Sequence, residues 1–470
     1  MADRQHDTRW SALIVCLVAG FMTLLDVSIV NVALPSIRSG LDASDAQIQL
    51  IVAGYSLAFG IVLVPAGRLG DAMSRKVVFC VGLVVFTGSS ALAGAASDPA
   101  WLAAARILQG VGGGLINPQV SGFIQTMFRG EERGRAFGLF GATVGISTAI
   151  GPLLGGVLVT LGGAEHGWRY VFFVNVPVGV VALILALRWL PDAERGPRES
   201  LDPVGVLLFA TATFLVLLPL VEGEQGEELA SRPWWLVGVA AGLLAVFVVW
   251  ERGWSRSGRA TLVDLTLLRV RSYMLGLGLG TLYFAGFTSI FLVLTLYLQN
   301  GLGYSAFEAG ATQMPFALGS AVAAVIGGRL VNRYGRALVV VGLVLVVVGL
   351  VAIDVLVPHL ETRVGLSLAP LLAVAGFGGG LVISPNVTIT LSEVDVRRAG
   401  AGGGMLQTAQ RVGSAIGVAL VLAQFFGQLG SSGGDYAASM SLALRTTIGF
   451  VVGALVLGVA DLVTQRRRRP

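Results

Sequence analysis

Gly67-Arg68-Leu69-Gly70-Asp71-Ala72-Met73-Ser74-Arg75-Lys76 sits between two apolar runs, and it returns between two others as Gly328-Arg329-Leu330-Val331-Asn332-Arg333-Tyr334-Gly335-Arg336. Each copy has glycine for a tight turn and cations to hold a membrane edge. The chain around them is 55% hydrophobic and 13% charged, with a mean hydropathy of +0.80. No water-soluble core uses that much apolar surface, so an all-α polytopic membrane protein is expected, with the lipid bilayer as its surroundings. Windows of about 20 apolar residues mark fourteen spans, near 10–35, 47–67, 77–97, 100–125, 135–160, 169–190, 202–221, 234–250, 272–298, 306–328, 337–357, 366–390, 400–426 and 441–463. The first run is long enough to span and lacks a small-residue cleavage site, so no cleavable signal is expected.

An even count puts both termini on one side. With that side cytoplasmic, inner segments hold 25 of the 32 Lys and Arg, outer segments hold five (Arg38, Arg169, Arg232, Arg363, Arg445), and Arg106 and Arg411 lie inside spans. Positive charge gathers at the cytoplasmic face, so this distribution predicts cytoplasmic termini. The repeated loop predicts two six-helix halves, residues 1–190 and 272–470, the second ending in a basic cytoplasmic tail. A linker of residues 191–271 carries spans 7 and 8, and Leu262 to Leu268 is predicted to form a short amphipathic helix at the inner interface. The cations are scattered through short loops and form no basic face, which argues against nucleic acid as a partner. The usage of 31 Arg to one Lys points to a GC-rich bacterial genome, hence to a bacterial cytoplasmic membrane.

Within Leu25-Asp26-Val27-Ser28-Ile29-Val30-Asn31-Val32-Ala33-Leu34-Pro35, Asp26 is a carboxylate inside an apolar helix. An ionisable group there is costly and marks a functional site by default. Span 4 carries Arg106-Ile107-Leu108-Gln109-Gly110-Val111-Gly112-Gly113-Gly114, then Asn117-Pro118, and its spacings of three, four and four put Arg106, Gln109, Gly113 and Asn117 on one face. A purely structural arginine would sit at a span end and snorkel. Counting from Pro35 and from the start of span 4, Asp26 and Arg106 lie roughly 9 to 13 Å below the outer boundary at 1.5 Å per residue. They are therefore predicted to face each other and to form the proton-coupling pair.

Span 5 holds Gly138, Gly141, Gly145, Gly151-Pro152 and Gly155-Gly156, small residues that let helices approach closely, with a Gly-Pro that permits a bend. The loop after span 2 resembles the signature of the major facilitator superfamily, Gly-x-Leu-x-Asp-x-x-Gly-Arg-Lys. Gly67, Leu69, Asp71, Arg75 and Lys76 match, whereas Ser74 and Ala72 depart from the pattern. Arg106-x-x-Gln109-Gly110 resembles the superfamily's span 4 motif, and Gly151-Pro152-x-x-Gly155-Gly156 that of its proton-driven exporters, with Ser147 where glycine is usual. Leu25 to Pro35, Gly167 to Gly179 and Gln407-Thr408-Ala409-Gln410-Arg411-Val412-Gly413 narrow the likeness to the fourteen-span drug/proton antiporters of the QacA and EmrB type. The resemblance implies the major-facilitator fold, with a loop in which Gly67, Asp71 and Arg75 latch the halves together. It also assigns Gly151 and Pro152 a conformational role. Arg411 is a gating candidate, on one face with Gln407 and Ser414, and a possible counterpart of Arg106.

Catalytic and cofactor signatures fail on context. Gly430-Ser431-Ser432-Gly433-Gly434 fits the nucleophile-elbow pattern but lies in an outer loop. Gly110 to Gly114 lacks the lysine and strand of a phosphate loop. His6, His166 and His359 have no metal-ligand spacing, and Cys16 and Cys80 lie in apolar runs. The expectation is a non-enzymatic, cofactor-free secondary transporter, a monomer driven by the proton-motive force. It would export hydrophobic drugs or antibiotics, cationic ones being expected, by alternating access. Candidate cavity residues are Asn31, Tyr55, Gln109, Asn117, Tyr283, Tyr297 and Gln313, whose aromatic members suit cations. Two alternatives stand beside it, a dedicated exporter of one endogenous metabolite or lipid and a non-transporting membrane sensor or scaffold.

Overall fold

In a bilayer every backbone polar group must be satisfied within the chain, and helices do this segment by segment. The computed structural model describes residues 2–192, 202–221, 232–257, 259, 261–360, 363–392 and 394–467, and these form fourteen α-helices with no strand among the described residues. They are α1 (Ala2–Leu41), α2 (Asp45–Ala72), α3 (Arg75–Gly94), α4 (Pro99–Met127), α5 (Gly130–Phe173), α6 (Asn175–Trp189), α7 (Pro203–Val221), α8 (Trp235–Arg256), α9 (Arg271–Leu296), α10 (Ala306–Tyr334), α11 (Arg336–Leu356), α12 (Val364–Ser392), α13 (Ala399–Ser431) and α14 (Tyr436–Arg467). Thirteen apolar stretches within them are long enough to cross a membrane, and α4 is the helix without one. Its polar and glycine positions are buried against neighbouring helices, so it needs little lipid-compatible surface.

Two boundaries differ from the sequence reading, and the break between the fifth and sixth spans falls where that reading places a loop. Pro35 does not end α1, which continues to Leu41, so Asp26 lies deeper below the helix end than the count from Pro35 implied. In α5 the break falls at Gly163, whose φ of 79° belongs to the left-handed region that glycine occupies without steric cost. Residues 262–268 are not an interfacial helix: the segment is bent and helical only at Leu267–Arg269. The cause is Glu251, whose carboxylate accepts from the amides of Leu262 (2.9 Å) and Val263 (3.4 Å). Leu262 and Val263 are buried against Val64, Phe209 and Phe247.

The packing partners repeat along the chain. In the first part α1 packs on α5 and α6, α4 on α2 and α3, and α3 on α6; in the last part α9 packs on α13 and α14, α12 on α10 and α11, and α11 on α14. Even the helix starts echo each other. Ser44 and Gln47 form a capping box on α2, and Ser305 and Glu308 form one on α10. Between the two sets, α5 meets α10 and α2 meets α13, while α7 packs on α8, α2 and α13. One apolar core centres on Phe59, Phe79, Phe86, Phe123 and Phe137, another on Tyr283, Phe287, Phe316, Leu343 and Phe425. In lipid such cores are held by close packing, because apolar side chains gain little by leaving an equally apolar solvent.

Candidate functional site

Asp98 caps the start of α4 through the Trp101 amide (2.9 Å), and two turns on the helix presents Arg106 and Gln109 toward α1. Arg106 Nη1 donates to Asp26 Oδ2 at 2.5 Å and to Gln109 Oε1 at 2.6 Å. Gln109 Nε2 donates to Asp26 Oδ1 at 2.8 Å and to Ser90 Oγ at 2.7 Å, and Asn175 Nδ2 donates to Asp26 Oδ1 at 2.9 Å. Asp26 is 0% exposed and Arg106 2%, so three donors and one positive charge replace the water the carboxylate has lost. The guanidinium also lies over the Tyr55 ring (4.2 Å) and beside that of Phe172 (5.7 Å).

A stack extends from here along α2. The Tyr55 and Phe59 rings are 5.9 Å apart, and the Arg411 guanidinium of α13 lies over the Phe59 ring at 4.4 Å. Two arginines from opposite sets of helices thus bracket two neighbouring rings.

At the end of α2 the chain crosses to α13. Asp71 accepts from the amides of Gly400 (3.0 Å) and Ala401 (2.8 Å) and from Arg75 Nη2 (2.8 Å), which also donates to the carbonyl of Val396 at 2.8 Å. Gly67 makes this contact possible, since a Cβ on it would fall 2.2 Å from the Gly400 carbonyl oxygen. Gly151, ahead of Pro152 in α5, plays the same part against α1, where a Cβ would lie 2.0 Å from Ser28 Oγ. Beside the α2–α13 contact, Asp264 pairs with Arg398 and ties the 261–270 segment to the start of α13.

The structure scatters the predicted cavity residues. Tyr55 and Gln109 are buried in the Asp26 cluster, and the Tyr55 hydroxyl donates to the Thr23 carbonyl. Asn117 is turned toward α1, donating to Thr23 Oγ1 at 3.0 Å. Tyr283 is buried with Phe287 and Phe316, its hydroxyl making no hydrogen bond. Tyr297 closes α9, and Gln313 donates to Thr295 Oγ1 at 3.0 Å. Asn31 is exposed.

Two polar groups have no site role in the sequence reading. Asn175, at the start of α6, is the third donor to Asp26; its signal was a lone amide in an apolar run at matching depth. Arg336, counted there as a loop cation, is buried, with Nε 2.6 Å from Asp461 Oδ2 and Nη1 2.5 Å from Asn386 Oδ1. Among the described residues no cluster of three or more His, Cys, Asp or Glu is placed to hold a metal.

Known proteins resemble the chain in sequence and in fold. The sequence pattern of the Major Facilitator Superfamily matches residues 16–418. The probable actinorhodin transporter of Streptomyces coelicolor is 40% identical over 432 residues, 90% of this chain and 73% of that one. The puromycin resistance protein pur8 of Streptomyces alboniger is 34% identical over 96% of this chain and 90% of that one. Among solved structures, the human organic anion transporter MFSD10 is alike in fold, with a TM-score of 0.67 at 15% identity, covering 96% of this chain and 99% of the other. An all-helical, multi-pass chain with that pattern along most of its length belongs to the major facilitator superfamily.

Proposed function

We propose that this protein exports hydrophobic drugs or antibiotics across a bacterial cytoplasmic membrane in exchange for protons. The names of the relatives, an actinorhodin transporter and a puromycin resistance protein, support export of antibiotics. The observation that carries proton coupling is Asp26, a carboxylate sealed from solvent in the middle of a membrane helix with an arginine as counter-charge. The repeated helix pairing supports two six-helix halves, residues 1–190 and 272–470, joined by a linker of residues 191–271 that holds the seventh and eighth of fourteen spans. The distribution of Lys and Arg supports cytoplasmic termini.

In this reading the Asp71, Arg75 and Gly400 contact is an inner latch, and the latched form is closed to the cytoplasm. Protonation of Asp26 from outside weakens its hold on Arg106. The halves then rock, the latch opens, and the proton leaves inward as substrate binds in the space between them. Gly151 and Pro152 keep α5 close to α1 through the movement. The protein works as a monomer without a bound cofactor.

Adding substrate to detergent-solubilised protein should release protons into a weakly buffered solution, and Asp26→Asn should abolish the release. Unchanged release from that variant overturns the coupling role. A second reading, a dedicated exporter of one compound made by the cell, is favoured by the relative named for actinorhodin. A panel of dyes and quaternary ammonium compounds separates the two, since a dedicated exporter ignores most of them.

A further inference from the structure

The charges buried between the helices do not all balance. Asp26 is saturated by Arg106, Gln109 and Asn175, Asp71 by Arg75 and two amides, and Asp461 by Arg336. Asp202 accepts from the Trp250 indole, and Glu251 holds the amides of Leu262 and Val263. Each of these carboxylates is engaged inside its own cluster. Arg411 stands apart, with no carboxylate within ion-pair distance among the described residues and the Phe59 ring as its contact.

Its position on α13 says where the charge points. Below it the two sets of helices touch directly: a Cβ on Gly404 would lie 2.6 Å from the Leu63 carbonyl oxygen, and Gln407 reaches the Asn117 carbonyl and Ser121 of α4 at 3.3 Å. One turn above Gln407, Arg411 bridges to α2 by its guanidinium face alone and is half-buried. One turn further, Ser414 is hydrogen-bonded to Thr288 of α9 at 2.8 Å, beside a ladder of rings: Phe284 to Phe287 at 5.6 Å, Phe287 to Phe291 at 5.3 Å, Phe291 to Phe316 at 5.1 Å. A cation without a counter-ion therefore sits where the halves part, next to an aromatic wall.

We infer that Arg411 is the anchor for an acidic group on the substrate, and that the exported class is planar aromatic compounds carrying one carboxylate or ionised phenol. The inference rests on the export reading and deepens it. A guanidinium fork suits a carboxylate, and an uncompensated charge held away from water gains most from an opposite one. A fixed positive charge on the substrate would meet Arg411 with no free buried carboxylate to receive it among the described residues. The proton site and the anion site are then separated by the Tyr55 and Phe59 rings, so one molecule carries both without either neutralising the other.

Three probes that share one ring system test this: 9-anthracenecarboxylate, the neutral 9-anthracenecarboxamide, and the corresponding anthracenylmethyl trimethylammonium ion. Equilibrium dialysis against the full purified chain should give the carboxylate at least a tenfold tighter Kd than the amide, with the ammonium compound weakest. Arg411→Gln should bring the carboxylate-to-amide ratio to about one, and Arg411→Lys should keep most of it; measurable amide binding in both certifies folded protein. An ammonium probe that binds tightest, a ratio unchanged in Arg411→Gln, or binding of none of the three overturns the inference. Proteoliposome uptake keeps the two readings apart. Proton-driven movement of the ammonium probe upholds export and sinks the anion site, whereas the expected binding ratios without movement of any probe sink export and leave the anion site.

Discussion

Replacing Asp26 by Asn removes the charge but nearly keeps the shape, so its consequences separate folding from coupling. The asparagine oxygen still accepts from Arg106, but its new NH2 faces the Gln109 and Asn175 amides, themselves donors at 2.8 and 2.9 Å. Gln109 must flip to accept, giving up its contact with Arg106, while the Ser90 hydroxyl rotates to donate to its oxygen. One or two hydrogen bonds at about 0.5–1.5 kcal/mol each is a tolerable loss. Asp26→Ala is harsher, leaving Arg106 buried and uncompensated at a cost of about 3–5 kcal/mol. In proteoliposomes held at 100 mV, each exchanged proton supplies about 2.3 kcal/mol, enough to sustain roughly a 50-fold gradient of an uncharged substrate. Asp26→Asn should collapse that gradient to one while still exchanging labelled for unlabelled substrate down a gradient. The measurement is the steady-state ratio of substrate inside to outside in the two proteins. A variant that builds the wild-type gradient refutes the reasoning, because no proton is then moving through Asp26.

Other perturbations read other parts of the molecule. Gly67→Ala drives a methyl into the Gly400 carbonyl; at about 1–3 kcal/mol of overpacking, it should raise cytoplasmic-side cysteine labelling of α13 by roughly fivefold or more, and unchanged labelling refutes the latch. Arg336→Met should destabilise by about 3–5 kcal/mol through loss of the buried ion pair, while Arg336→Met with Asp461→Leu should recover most of it, read as thermal unfolding by fluorescence-detected gel filtration. Glu251→Ala strips the acceptor from the Leu262 and Val263 amides and should cost about 1–3 kcal/mol, with proteolysis appearing within residues 261–270.

Asp26 and Arg106 were legible as partners because each is an anomaly in its own run and helical rise converts sequence position into depth. The Gly67 to Lys76 loop was legible because it occurs twice. Asn175 was not, since its approach to Asp26 depends on the rotation of α6 after the break at Gly163, which no local periodicity records. Arg336 read as an edge cation for the same reason: the burial comes from Asp461, 125 residues away. The 262–268 segment failed differently. Its apolar spacing suits a helix, but a buried carboxylate on α8 competes for the two amides the helix would have used. α4 was legible both as an apolar window and by its motif, and it is the least apolar of the spans because a helix enclosed by others is free to carry the polar residues that function needs.

The distribution of strong and weak contacts explains how such a molecule moves without unfolding. The buried ion pairs, Asp26 with Arg106 and Asp461 with Arg336, lie within one set of helices each, where losing a partner would cost about 3–5 kcal/mol. Between the sets α5 packs on α10 through glycines, and the polar contacts are ones that water replaces readily: three charge-assisted hydrogen bonds at the latch, two long ones from Gln407, and the face of Arg411 on Phe59. Opened to solvent, each latch bond returns most of its energy, so the net cost of opening the latch is of the order of the roughly 2.3 kcal/mol that one charge gains across 100 mV. In the proposed cycle, a seam without a buried ion pair among the described residues is one that a single proton can tip. Were an ion pair placed across the seam instead, for example by Phe59→Asp opposite Arg411, the balance would shift to the closed form. Transport should then fall at least tenfold while thermal stability rises, and a variant that transports normally would show that the seam is not where the energy is spent.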